Sequence, residues 1–204
     1  MNAVVMNAVE PPVAVSPIAA PDWPPDVDAS LRDVSTPRGV SHPRYGCKGT
    51  AAAAWLESLG LPVPAMPNRW LALPGQGLIA RLGQTEFLIE DPAWAERLMD
   101  ETPPAQAAFV LRQDAALVLG GKGAPEVLRQ VCNVNFAALE LQESPVVLTS
   151  MAGVSVVVIP RKAAPHDAAA RESLEELCYH IWCDGTFGDY LWETLREVAK
   201  GAAA

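Results

Sequence analysis

The sequence predicts an α+β domain in which helices cover one face of a largely antiparallel sheet. Three observations predict it. Runs such as GLIARLG, TEFLIE and VVLTSMAGVSVVVI have the length and β-branched content of strands. The segments between them carry apolar residues at helical spacing and open on Thr, Asp or Pro. No βαβαβ repetition with a Gly-rich turn occurs, which argues against a doubly wound parallel sheet.

Taken in order, residues 1–40 read as a Pro-rich extended tail or linker, and residues 41–200 as the folded domain. Eight of the 19 prolines fall in the first 45 residues, and proline removes the donors that regular structure needs. Trp23, Val27 and Leu31 are costly to leave in water. They give the tail a second reading, as an arm lying on a partner. GTAAAAWLESLG (49–60) reads as a helix with Thr50 at its start, Ala51, Trp55 and Leu59 on one side, and Gly60 at its end. LPVPAMPNRWLALPG (61–75) contains four prolines and is neither helix nor central strand. GLIARLG and TEFLIE are strands that turn at Gly83-Gln84, and DPAWAERLMD (91–100) is a short helix with Pro92 in its first turn.

AAFVLRQDAALVLGG (107–121) reads as a strand pair turning near Gln113-Asp114. GAPEVLRQVC (123–132) is a helix whose apolar face is Val127, Leu128 and Val131. Residues 146–159 form two short strands with a turn. The polar, Ala-rich stretch 161–177 is a loop with one or two helical turns around 168–177. CYHIWCD is the last strand. TFGDYLWETLREVAK is the last helix, with Thr186 and Asp189 in capping-box spacing and Phe187, Leu191, Leu195 and Val198 facing the core.

Composition excludes several functions. Fifteen basic against 24 acidic residues give a net charge of −9, and no Lys/Arg cluster exceeds two residues. Nucleic acid and anionic membranes both need a concentrated basic surface and are not expected partners. Four scattered cysteines do not make a disulfide framework in 204 residues, so reduced thiols in a soluble cytoplasmic protein are expected. The apolar N-terminal run lacks a basic region and is broken by Glu10, Pro11 and Pro12, unlike a signal peptide.

The densest chemistry is CYHIWC (178–183). On a strand, Cys178, His180 and Trp182 share one face and Tyr179, Ile181 and Cys183 the other. A structural zinc site needs four converging ligands. Here Cys183 points away from Cys178 and His180, and no second knuckle exists, so buried structural thiols are the simpler reading. A Cys178–His180 nucleophile pair lacks hydrogen-bond reach across two strand positions. LGGKGAPE (119–126) places glycines and Lys122 before a helix, which suits an anion or the helix's own capping equally. What remains is a set of aromatics on expected surfaces. Asn68, Arg69 and Trp70 in the Pro-rich segment, with Tyr190 and Trp192 in the last helix, are the candidate interface residues, since such types anchor protein contacts.

Several phrases also match a known family: RYGCKGTAAAAWLESLGLPVPAMPNRW (44–70), LIARLGQTEFLIED (78–91), VLRQDAALVLGGKGAPEVLRQVCNVNFAAL (110–139), LTSMAGVSVVVIP (148–160) and IWCDGTFGDYLWETL (181–195). Together they resemble the gamma subunit of heterotetrameric sarcosine oxidase, or the related gamma-type subunit of N-methylglutamate dehydrogenase. The resemblance implies part of the aminomethyltransferase (glycine cleavage T-protein) folate-binding fold. It implies a non-catalytic accessory role beside larger alpha, beta and delta-type subunits, which would carry FAD, FMN, NAD, tetrahydrofolate and zinc. It carries no catalytic, cofactor or metal residue onto this chain. The alternative is a stand-alone folate-binding aminomethyltransferase-like protein.

Overall fold

The computed structural model describes residues 16–19, 23, 28–35, 44–74, 77–162 and 177–202. Ten strands and four α-helices follow in the order β1 (Ser30–Asp33), β2 (Arg44–Lys48), α1 (Ala52–Ser58), β3 (Arg69–Ala72), β4 (Leu78–Arg81), β5 (Glu86–Glu90), α2 (Pro92–Met99), β6 (Ala108–Arg112), β7 (Asp114–Gly120), α3 (Ala124–Val131), β8 (Val147–Met151), β9 (Val154–Lys162), β10 (Leu177–Asp184) and α4 (Gly188–Ala202). The α+β class and antiparallel pairing are as expected, but the strands make two five-stranded sheets. One has the order β1-β7-β10-β9-β8 and the other β3-β4-β5-β2-β6.

Each sheet is covered on both faces. Leu117, Leu119, Tyr179, Ile181 and Val156 turn outward from the first sheet onto Val127 and Leu128 of α3 and Leu191, Trp192 and Leu195 of α4. Tyr45, Ile79, Phe87 and Ile89 turn outward from the second sheet onto Trp55 and Leu56 of α1 and Leu98 of α2. Between the sheets, Leu78, Ala80 and Leu88 meet Ala116, Val157, Ile159 and Trp182. The result is a four-layer α/β/β/α sandwich. Double coverage explains why β7 and β10 read as almost unbroken apolar runs instead of alternating ones.

β6 and β7 are not the expected hairpin. β6 pairs with β2 in one sheet, while β7 pairs with β1 and β10 in the other. Gln113 is the only residue between them. The chain steps from sheet to sheet there, braced by Arg112, whose Nε–H donates to Asp114 at 2.7 Å. That bond, opposed by burial, and the charge of Asp114 raise the Arg112 pKa. A second brace lies between the sheets. Buried Arg44 pairs with Glu90 and donates to the carbonyl of Val34 at 2.8 Å, and Trp182 Nε1–H donates to Glu90 at 3.0 Å. These bonds compensate the cost of removing charge from water.

The tail boundary expected at residue 40 is revised. Ser30–Asp33 is a strand of the first sheet, with Leu31 in its core, and Ile18 is buried there too. Trp23 meets Trp192 edge to face at 6.1 Å. The apolar residues Trp23 and Leu31 are therefore covered by this chain, not exposed for a partner. Val27 and residues 163–176 lie outside the described residues, and the ends of the loop expected over 161–177 are strand residues, Arg161 and Lys162 of β9 and Leu177 of β10. Two caps also differ. The α1 N-cap is Ala51, not Thr50. Asp184, not Thr186 with Asp189, caps the turn before α4, and Asp189 instead accepts from the Ala19 N–H at 2.6 Å. Gly60, at φ 90°, ends α1 in the left-handed region that glycine tolerates.

Candidate functional site

The strand β10 has the two faces its alternation predicts. Tyr179, Ile181 and Cys183 lie in the helix-covered core, and Trp182 lies between the sheets. His180 is buried, and its Nε2 accepts from the Arg161 Nε–H at 2.8 Å. The Cys178 thiol donates to the Arg161 carbonyl at 3.4 Å. The bonded groups of this trio are turned toward each other. Burial pushes the Cys47 thiol up to about 11, and burial with the charges of Asp114 and Asp184 does the same to Cys183. At neutral pH both are protonated and neither is a nucleophile. Among the described residues no group of three or more His, Cys, Asp or Glu converges as a metal set would. In the glycine-rich stretch, Gly123 N–H donates to the Asp28 carbonyl at 2.7 Å, so that backbone serves the chain's own packing.

The five candidate interface residues divide. Asn68 is exposed at φ 59°. Its N–H donates to the Arg81 carbonyl at 2.8 Å, and its carbonyl accepts from Val146 at 2.9 Å. Arg69 pairs with Glu143, and the Trp70 N–H donates to Ser144 at 3.0 Å. The segment thus ties the β3 edge to the approach to β8, with Trp70 packed against the inter-sheet core. Tyr190 is 53% exposed. Its hydroxyl donates to the Ala152 carbonyl at 3.0 Å, which pins the ring against the surface.

Trp192 is only 4% exposed and belongs to the core, which corrects its place among the interface residues. The buried stripe of α4 is Leu191, Trp192, Leu195 and Ala199. Phe187 precedes the helix in a 3-10 turn and is 49% exposed, so the expected stripe begins out of phase with the helix. Phe187 and Tyr190 are thus the exposed large aromatics among the described residues.

Sequence reading missed the other apolar surface. Val110 and Leu111 of β6 are 57% and 58% exposed, on opposite faces of the strand. Met66 and Leu71 are exposed near β3, and Leu148 on β8. The signal for β6 was AAFVL at 107–111, an apolar run that would suit a central strand as well as an edge awaiting cover.

A chain of the heterotetrameric sarcosine oxidase from Corynebacterium sp. U-96 superposes with a TM-score of 0.62 at 20% identity, covering 86% of each chain. The glycine cleavage system aminomethyltransferase T from Bartonella henselae superposes with a TM-score of 0.58 at 16% identity. That match covers 83% of this chain and 45% of the transferase, so this chain spans under half of that protein. The fold is of the aminomethyltransferase type. No family model and no curated protein matches the sequence. Among the described residues no helix is long and apolar enough to cross a membrane.

Proposed function

We propose that this chain is a non-catalytic, interface-building subunit of a sarcosine-oxidase-type flavoenzyme that oxidatively demethylates a secondary N-methyl amine, sarcosine or N-methylglutamate. The observation that carries the reading is the fold likeness, which extends over 86% of both chains, to a component of a heterotetrameric sarcosine oxidase. A second support is the surface. Phe187, Tyr190, Val110 and Leu111 present apolar area of the kind that marks contact with another polypeptide. Asn68 and Arg69 stand at the β3 edge, across that sheet from β6. In this reading larger alpha, beta and delta-type chains hold FAD, FMN, NAD, tetrahydrofolate and zinc, and this subunit holds them in register.

The test is expression alone and in company. Alone, the chain is colourless, prone to aggregate and inactive toward sarcosine and N-methylglutamate. Co-expressed with its flavoprotein partners, it purifies in a stable yellow complex. An isolated chain that oxidised either amine would overturn the reading. So would tight, saturable tetrahydrofolate binding by the isolated chain, which would instead support a folate-binding protein acting by itself.

A further inference from the structure

Among the described residues four strand edges close the two sheets: β1 and β8 in one, β3 and β6 in the other. β1 is short and carries Arg32 and Asp33. β3 is tied through Asn68 and Trp70 to residues 144–146. β8 carries Thr149 and Ser150, and beyond its end the Ala152 N–H donates to the Val131 carbonyl at 2.8 Å. β6 has less protection, a single charge at its end. It is Ala-Phe-Val-Leu-Arg, without proline or lysine, and its ladder runs in unbroken register along β2 from Ala108↔Lys48 to Arg112↔Arg44. Among the described residues its main chain bonds to no strand but β2. That charge, Arg112, is already held by Asp114. An apolar edge of this kind pairs with whatever strand it meets unless something covers it.

We propose that the outer edge of β6 is a strand-addition site, paired in the working assembly by an extended apolar segment of a different polypeptide. A row of main-chain donors and acceptors at strand spacing is matched along its whole length only by another strand. The side chains fit the same occupant. Leu111 offers an apolar contact on one face and Val110 on the other. Gly46 of β2, opposite Val110, has no side chain, and the Val110 and Arg112 side chains lie over it, 3.3 and 3.4 Å from where a Cβ would stand. Charge argues against a second copy, since self-pairing brings together two chains of net charge −9. The proposal rests on the reading of this chain as a subunit and names the kind of contact by which it joins its neighbours.

Hydrogen exchange of the whole complex tests it. The complex is purified through a tag on this chain from cells that also make its partner polypeptides, and is compared with the chain alone. Peptides spanning residues 107–113 exchange about tenfold or more slowly in the complex, because alternate amides of an edge strand are open until paired. In parallel, Val110→Lys and Leu111→Lys leave the melting of the isolated chain unchanged and weaken assembly roughly tenfold or more. It is the protection, not co-purification, that supports the proposal. A complex in which residues 107–113 exchange as fast as in the free chain overturns the edge site and leaves the subunit reading standing. Failure to form any complex overturns both. Slow exchange in the chain alone that Val110→Lys abolishes, together with loss of a dimer, overturns the proposal in favour of self-pairing.

Discussion

Strands β6 and β7 lie one residue apart, and their compositions are close, AFVLR against DAALVLG. β7 runs between β1 and β10 under the helices, and six of its seven residues are buried. β6 pairs on one side only and exposes Val110 and Leu111. The contrast shows that burial here is decided by neighbours on both sides and not by residue type. A strand with core composition and one missing neighbour is a core waiting for its other half. The same contrast recurs in α4, where Trp192 and Tyr190 lie two residues apart, one inside and one outside.

The sharpest way to break this comparison is the helical pair. Trp192→Ala removes a ring packed on Trp23 and is expected to cost about 3–5 kcal/mol in denaturant unfolding. Tyr190→Ala should cost about 1 kcal/mol, mainly the bond to Ala152. Equal losses would mean that both rings are core. Next come the strands. Leu119→Ala in β7 is expected to lower stability by about 2–5 kcal/mol. Leu111→Ala in β6 should stay within about 0.5 kcal/mol in the isolated chain. A large loss at Leu111 would show that its edge is already covered.

Smaller effects sharpen the picture of the buried layers. Cys47 on β2 and Cys183 on β10, both pushed up to about 11, should resist alkylation by iodoacetamide at pH 8 in the folded chain, with about one thiol in a thousand ionised. Unfolding in denaturant should release both. Fast labelling of either without denaturant would mean local opening of its sheet. The smallest effect is at Asp184, whose carboxyl is held below its ordinary value by bonds from the Thr186 hydroxyl and N–H. A lowered folded pKa gives stability that is present above the unfolded value, about 3.9, and lost as pH falls through the folded one. The stability gap between wild type and Asp184→Asn should therefore shrink only below about pH 4. A gap that closed near neutrality would point to another group.

Local structure was legible because local rules govern it. The helix at 123–132, the turn at Gly83-Gln84 and the face alternation of CYHIWC follow from proline, glycine and spacing alone. Sheet membership was not legible. The unbroken apolar run of β7 already required cover on both faces, but nothing in DAALVLG says which strands supply it. The β6–β7 step looked like a turn because Gln113-Asp114 is polar, and polarity does not distinguish a reversal from a crossing between sheets. Proline content made residues 1–40 read as a tail, yet four residues free of proline, Ser30–Asp33, were enough to join the first sheet. At the candidate surface, Tyr190 was legible as an exposed ring. Trp192 and Phe187 exchanged roles because a 3-10 turn shifted the phase at which α4 begins.

The contact between Ala19 and Asp189 spans 170 positions. Ile18, Trp23 and Leu31 complete a core whose other wall is α4. A ribosome adding about 5–20 residues per second makes the early segment wait roughly 10–30 s for that wall. Through that interval its apolar residues are without their helix, while the second sheet, built from residues 44–112, can already close. Synthesis therefore finishes one half of this molecule well before the other, and the half that is late is the one a holding chaperone would need to shelter.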